Sequence, residues 1–224
     1  MTAENPLGGY RAGVAAGHTA TADAAAEVLR GGGNAFDAAI AAFLTACVAE
    51  PVLASLGGGG FLAARRADAG GSNATEIFDF FTQTPRRRPT QGEVDFKPIM
   101  ADFGAAQQEF HIGLGAVATP GAVAGIFAVH DALGRMPMAD IAAPAIALAR
   151  DGVRINPFQA YLLGVVAPIY AATPGAVEQF CIADVRPPAL LPSGALYQPT
   201  GFASFLSALV SEGADLFYQG AVAD

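Results

Sequence analysis

The chain has 224 residues and a mass of 22.7 kDa; 53% of the residues are hydrophobic and 14% are charged. This composition is sufficient for a buried core and excludes a disordered polar chain. The net charge of −8, with Lys97 as the only lysine, disfavours a nucleic-acid partner, because binding to phosphates requires clustered cations.

The first predicted helix follows a short run of small apolar residues. Gly13–Gly17 is predicted as a buried strand or an extended lead-in segment. Thr19 or Thr21 is placed to cap a helix that runs to about Arg30, with Asp23 in its first turn near the positive end of the helix dipole. The three glycines that follow are expected to end this helix.

The second predicted helix carries the strongest local signal in the chain. Asn34 and Asp37 have the spacing of a capping box, and Glu50-Pro51 is the expected end. Large apolar residues recur at helical spacing between these points, and alanines occupy most other positions. Such a helix is expected to be buried on most of its sides.

A glycine tetrad, Gly57–Gly60, precedes a predicted β-hairpin formed by 63–66 and 76–81. Glycines allow the backbone to approach a ligand closely, or they permit a tight crossing between two segments. We favour packing near a site, so alanine at Gly58 or Gly59 is expected to reduce soluble yield more than it changes substrate preference. Residues 86–110 show no clear period and are predicted to be a loop.

Helices dominate the prediction for the second half of the chain. Thr119-Pro120-Gly121 offers a cap and a first-turn proline for one helix, and Gly134 closes it. The further predictions are a helix from Met138 to Arg150 with Pro144 inside it as a kink or a boundary, a helix from Asn156-Pro157 towards Val166 that Pro168 stops, a loop over 171–200, and a last amphipathic helix over 202–210, which is followed by 214–220.

The common signatures of cofactor and metal sites are absent from the sequence. There is no G-x-G-x-x-G, no Gly-Lys-Ser/Thr and no G-x-S-x-G, and no histidine has a helical i, i+4 partner. We therefore expect no cofactor and no metal. Cys47 and Cys181 are isolated, and Cys47, on an apolar helix face, is predicted to be a structural thiol rather than part of a disulfide or metal site. His18 is assigned to a helix start or a polar contact.

The sequence also bears on localisation. The first five residues contain no positive n-region, so no signal peptide is visible. The most apolar run, Ala38–Val48, is shorter than the ~20 residues that span a bilayer. The expectation is an acidic, soluble, cytoplasmic protein.

Several segments, in order, resemble the N-terminal region of the γ-glutamyltransferases, which are also described as glutathione hydrolases. The resemblance extends from about Tyr10 to Gly220, and the match of several segments in register makes it specific. The matching segments are Gly13–His18, Gly31–Ala39, Glu50-Pro51 with Gly57–Phe61, Asp79-Phe80 with Thr84-Pro85, Gly115–Gly125, Ala143–Ile146 and Asp215–Gly220.

The resemblance implies an α+β N-terminal-nucleophile hydrolase, an αββα sandwich to which this chain contributes mainly helices and a few strands. It implies that residues 1–224 are the N-terminal region of a large subunit, an incomplete part of one domain. The partner is a small subunit whose N-terminal threonine is the nucleophile and whose free amine acts as the base. The substrate is a small γ-glutamyl compound or a related amide. No catalytic residue is assigned to this chain, which alone is expected to be inactive.

The sequence departs from the family at the substrate-binding motif. The family pattern is Asp-Phe-Arg-Glu-x-Ala-Pro, and its arginine pairs with the α-carboxylate of the substrate. Here residues 79–85 read Asp-Phe-Phe-Thr-Gln-Thr-Pro, which puts Phe81 at the position of the arginine. Phe81, Thr82, Gln83 and Arg86 are the candidate substrate-binding residues, and glutathione is expected to be a poor substrate.

Two questions remain open from the sequence alone. Arg86, Arg87 or Arg88 replaces the missing guanidinium, or all three face solvent. The chain belongs to a γ-glutamyltransferase-like enzyme, or it is a non-catalytic helical binding or scaffold module, or it is part of a β-lactam acylase-like enzyme on the same fold. The reading frame after Asp224 distinguishes the enzymes from the module.

Overall fold

The structure is a computed structural model, and it describes residues 12–66, 75–87 and 94–223. The helices are α1 (Thr19–Arg30), α2 (Ala35–Ala49), α3 (Ala122–Leu133), α4 (Met138–Asp151), α5 (Pro157–Val165), α6 (Ala167–Tyr170), α7 (Pro174–Phe180), α8 (Phe202–Glu212) and α9 (Ala214–Tyr218). The strands are β1 (Phe61–Arg65), β2 (Thr75–Asp79), β3 (Lys97–Asp102), β4 (Gln107–Ile112), β5 (Val153–Arg154) and β6 (Leu196–Tyr197).

Helix α2 forms the centre of the main hydrophobic core. It packs against α1, α3 and α4, and α8 packs against α4. Ile40, Ala41, Leu44 and Val48 are almost completely buried, which confirms that this helix is covered on most sides. Because alanines occupy most positions between the larger residues, neighbouring helices can approach α2 closely.

The N-terminus of α2 is tied to the connection between α3 and α4. The predicted capping box is present: Asn34 Oδ1 accepts from the N–H groups of Phe36 and Asp37, and Asp37 Oδ2 accepts from Asn34 N at 2.8 Å. The Asp37 carboxylate, which is fully buried, also accepts from the N–H groups of Arg135 and Met136, at 3.0 and 3.3 Å. One side chain thus both caps a helix and fixes a distant turn.

Helix α1 begins differently from its prediction. His18 is the N-cap, and its Nδ1 accepts from Ala20 N at 3.1 Å, so the helix-start role of His18 is confirmed and the threonine caps are wrong. Thr21 is buried instead, and its hydroxyl donates to Glu50 Oε1 at 2.8 Å. Because the helix starts at Thr19, Asp23 lies beyond the first turn.

The lead-in to α1 is exposed. Residues 12–16 lie in no strand and 12–17 are solvent-accessible, so the buried-strand alternative is wrong. Small apolar residues without a strand to pair with do not form a buried strand, since their backbone N–H and C=O groups need partners.

Each of the three described sheets has two antiparallel strands. In the first, Phe61 pairs with Asp79 and Arg65 with Thr75, which confirms the predicted hairpin. In the second, β3 pairs with β4, and both strands begin within residues 86–110, so the prediction of a loop there is wrong. Pro98 and the polar residues of β4 hide the alternation, which is visible only in the burial of Ala101 and the half-burial of Ile99.

The later helices agree with the prediction except between residues 167 and 200 and after α8. Helix α4 continues through Pro144, and α8 is present as expected. Ala214–Tyr218, where no helix is predicted, forms α9. Helix α5 ends at Val165 with Val166 as its C-cap, as predicted, and Pro168 lies in the first turn of the short helix α6, where its missing N–H costs no hydrogen bond. Residues 171–200 contain α7 and β6 and are therefore not simply a loop.

A second, smaller cluster of buried residues joins β5, α5 and β6. Its centre consists of Val153, Ile155, Leu163 and Tyr197.

None of the helices in the described part of the chain combines the length and apolarity needed to cross a membrane.

Candidate functional site

Three segments that are far apart in the sequence meet where β1 begins. They are Gly58–Gly60, the segment 80–83, which we call the site loop, and Thr119–Gly121. Gly60 and Phe80 exchange backbone hydrogen bonds at 3.2 and 3.0 Å, which extends the pairing of β1 and β2. Gln83 and Thr119 exchange another pair at 3.0 and 2.7 Å. The site loop is therefore held at both ends by reciprocal backbone pairs.

The start of α3 depends on the glycine tetrad. The N–H groups of Gly121 and Ala122 donate to the carbonyl of Gly58 at 3.0 and 3.1 Å. The predicted cap by Thr119 and the predicted first-turn proline are wrong, because the helix begins at Ala122 after Pro120 and has no side-chain cap. A carbonyl from another segment satisfies donors that otherwise need a capping side chain.

Glycines are required at this crossing because three backbones are in contact. A Cβ on Gly59 would lie 2.6 Å from both Phe80 O and Thr82 N. A Cβ on Gly121 would overlap the carbonyl of Phe80, and one on Gly125 would overlap its ring. The tetrad was visible in the sequence as a glycine run, but its contact with the site loop was not.

The structure places Phe81, Thr82 and Gln83 together in the site loop. Phe81 is 54% exposed, and its N–H donates to Asp79 Oδ1 at 3.0 Å. Thr82 is partly buried, and Gln83 Nε2 donates to Phe81 O at 3.3 Å. Arg86 lies beyond the loop and is exposed. The predicted residues therefore share one short segment.

Two of the three neighbouring arginines lie in the described part of the chain. Arg86 and Arg87 are both exposed, as the solvent-facing alternative predicts. Arg88 lies outside the described residues. The structure therefore does not bury the guanidinium of either described arginine near the site loop.

Sequence reasoning missed two aromatic residues at the site. The ring of Phe61, the first residue of β1, stacks on that of Phe81 with centroids 5.6 Å apart and planes 17° apart. Tyr218, from α9, donates its hydroxyl to Pro120 O at 3.0 Å and accepts from Ala124 N at 3.1 Å. Phe61 ends the glycine-tetrad match and Tyr218 lies in the last matched segment, but neither position carried a distinguishing motif of its own.

No metal-binding arrangement occurs among the His, Cys, Asp and Glu side chains within the described ranges. Cys47 and Cys181 are both buried and free. Cys47 is 7% exposed and belongs to the main core, as expected for a structural thiol.

The buried Cys47 thiol should make the folded protein less stable as the pH rises into the alkaline range. Burial raises its pKa from 9.0 to about 12. Above about pH 9 the unfolded chain releases this proton and the folded chain keeps it, so the free energy of unfolding should fall by about 1.4 kcal/mol per pH unit. Burial also raises the pKa of Tyr170, and it raises that of Tyr197 to about 12, so both add to the loss at higher pH.

Urea unfolding at a series of pH values between about 8 and 10 measures this effect. Cys47→Ala should remove most of the decrease in the free energy of unfolding over this pH range, in which the two tyrosines contribute little. An equal slope in Cys47→Ala and the unmodified protein would show that the buried thiol is not responsible.

The chain is similar in sequence to several known proteins. The sequence pattern described as Gamma-glutamyltranspeptidase matches residues 21–224. The chain is 29% identical over 228 residues to the Acylase ACY 1 proenzyme of Pseudomonas sp. (strain SE83), covering 97% of this chain and 38% of that protein. It is 35% identical over 151 residues to the glutathione hydrolase proenzyme of Escherichia coli (strain K12), covering 62% of this chain and 23% of that protein.

A solved structure confirms the fold prediction. The gamma-glutamyltranspeptidase of Helicobacter pylori superposes with a TM-score of 0.75 at 25% identity, over 93% of this chain and 56% of that chain. The fold is thus that of the N-terminal-nucleophile hydrolases, seen here in mainly helical elements with a few strands. The chain spans less than two thirds of each of these proteins.

Proposed function

Since the chain belongs to the gamma-glutamyltranspeptidase family, we propose that it is part of an enzyme that cleaves amides or transfers their acyl groups. The observation that carries the proposal is the family match over residues 21–224, which includes all three segments of the site. In this proposal the nucleophile is the N-terminal threonine of a small subunit, formed when a precursor cleaves itself. Two of the relatives are proenzymes, which supports such processing.

The proposed reaction proceeds in two balanced steps. The threonine hydroxyl attacks the acyl carbonyl, its proton passes to the threonine amine, and the C–N bond breaks as that proton reaches the leaving amine. The product is an acyl ester on the enzyme. Water then attacks the ester to give a carboxylic acid, or a second amine attacks to give a new amide, and the threonine hydroxyl is restored in either case.

In this reaction the present chain binds the substrate. The site loop is rigid, because backbone pairs hold both of its ends, and it offers the ring of Phe81, the hydroxyl of Thr82 and the carboxamide of Gln83. Arg86 is the remaining candidate, and it is exposed. Rigid positioning of an acyl group in front of a nucleophile lowers the entropic part of the barrier.

Phe81 is expected to make γ-glutamyl substrates poor ones. An arginine binds a carboxylate through two charge-assisted hydrogen bonds, and a benzyl ring offers none. Restoring the guanidinium in Phe81→Arg should therefore increase kcat/KM for γ-glutamyl-p-nitroanilide by about tenfold or more, mainly through KM. Hydrolysis is followed at the absorbance of p-nitroaniline.

Phe158→Arg is the matched control, because Phe158 is 58% exposed and lies on α5. It should leave kcat/KM unchanged. If the unmodified enzyme hydrolyses this substrate as fast as the Escherichia coli glutathione hydrolase assayed beside it, the expectation about Phe81 is wrong.

A second candidate function is that of an acylase with a non-glutamyl substrate. It is supported by the similarity to the acylase proenzyme, which is 29% identical and covers 97% of this chain. Phe81 at the position of the family arginine also supports an acylase, because its ring cannot pair with the α-carboxylate of a γ-glutamyl group.

The rival to both enzymes is a non-catalytic scaffold module. Mass spectrometry and N-terminal sequencing of the product of the complete gene distinguish them. Two subunits, the smaller of which starts at threonine, support the enzyme. A single uncleaved chain that hydrolyses no amide supports the module.

A further inference from the structure

We propose that Phe61, Phe81 and the cavity behind Phe61 form the subsite for the acyl group, and that this subsite takes an apolar alkyl or aryl chain. The proposal rests on the proposed function, because it specifies the substrate class of the same site. It goes beyond the loss of an arginine, since it identifies what the chain offers instead.

The first argument is the stacked phenylalanine pair. Phe61 is 63% exposed and Phe81 is 54% exposed, although their rings are 5.6 Å apart and nearly parallel. Two adjacent large apolar side chains in water are costly, because each square ångström of apolar surface costs about 25 cal/mol. The stacked pair offers flat aromatic faces against which an apolar group can pack.

The second argument is the rigidity of the pair. Phe61 begins a paired strand, and the backbone pairs from Gly60 to Phe80 and from Gln83 to Thr119 fix the loop that carries Phe81. The backbone that carries the two rings therefore loses little conformational entropy when a ligand binds, which favours affinity.

The third argument is an apolar cavity that shares Phe61. Its volume is about 190 Å³, and it lies between the start of β1 and helices α2 and α3. The described residues that line it are all apolar, among them Phe43, Leu62, Phe80 and Ile126. An apolar protein cavity of about 150 Å³ holds a benzene ring, so this one has room for an aryl group or a short alkyl chain.

The chemistry of this lining excludes the charged end of a γ-glutamyl group. That end carries an ammonium and a carboxylate, and each loses its hydration on burial. Neither the stacked rings nor the cavity lining supplies a charged partner. An alkyl or aryl chain has no such cost and gains free energy from each methylene that leaves water.

The experiment compares acyl chains on the processed full-length enzyme. The substrates are hexanoyl-, acetyl- and γ-glutamyl-p-nitroanilide, and the enzymes are the unmodified protein, Phe61→Ala, Phe81→Ala and the control Phe158→Ala. We expect kcat/KM for hexanoyl to exceed that for acetyl by about a hundredfold and to exceed that for γ-glutamyl as well. Each site variant should lower the hexanoyl-to-acetyl ratio about tenfold, and the control should leave it unchanged.

Calorimetric binding of hexanoate and glutamate to the same proteins gives a readout that needs no turnover. If no amide is hydrolysed but hexanoate binds and Phe61→Ala weakens it, the proposed function is wrong and the subsite stands. If γ-glutamyl is preferred and Phe61→Ala leaves the ratio unchanged, the subsite is wrong and the function stands. Site variants that lower the melting temperature without changing the ratio would show that another protein segment covers the rings, which overturns the subsite.

Discussion

Replacing Asp37 with alanine is expected to lower the free energy of unfolding by about 3 kcal/mol or more. The carboxylate accepts from the N–H groups of Asn34, Arg135 and Met136, and its side chain is fully buried. Removal of this shared acceptor leaves three part-buried N–H groups without that partner, and each such donor costs about 1 kcal/mol. Urea unfolding followed by circular dichroism measures the loss.

Two further variants test the origin of this effect. Asp131→Ala removes a carboxylate that is 82% exposed and should change stability by less than about 0.5 kcal/mol. Asp37→Asn keeps one acceptor oxygen, so its free energy of unfolding should lie between those of Asp37→Ala and Asp131→Ala. Equal stability of Asp37→Ala and Asp131→Ala would mean that the buried hydrogen bonds contribute nothing.

Alanine at Gly59 is expected to lower the free energy of unfolding by about 2 kcal/mol and to reduce soluble yield. Its Cβ would lie 2.6 Å from Phe80 O and Thr82 N, and these are backbone atoms that cannot rotate away. The site loop must shift for the methyl group to fit, which also strains the pairing of Gly60 with Phe80. Chemical denaturation and the yield of soluble protein are the measurements.

Gly57→Ala is the matched control within the same tetrad. A Cβ there would meet only Ser55 Oγ, at 3.4 Å, which is an ordinary contact. Gly58→Ala should fall between the two, since its Cβ would lie 3.2 Å from Ser55 O. If Gly59→Ala is as stable as Gly57→Ala, the crossing has more room than the structure gives it.

The sequence predicts elements whose causes are local. The capping box of Asn34 and Asp37 and the apolar periodicity of α2 lie within a few residues, and the structure confirms both. The same reasoning missed β3 and β4, because their stability depends on pairing across the hairpin and their residues alternate only weakly.

The candidate site was only partly visible for a similar reason. Phe81 was found because the motif from Asp79 to Pro85 could be compared position by position. Phe61 was missed as a site residue, since its stacking on Phe81 depends on the register of β1 and β2. The start of α3 was misassigned because its acceptor, the carbonyl of Gly58, lies more than sixty residues earlier in the chain.

The hydroxyl of Tyr218 has a consequence for the order in which the protein forms. It bonds to Pro120, 98 residues earlier, and so joins the last described helix to the start of α3. Contacts across such long loops form late, because chain closure must precede any gain from the contact. During synthesis on the ribosome, the hydrogen bond that ties the start of α3 to α9 therefore forms only after α9 has emerged.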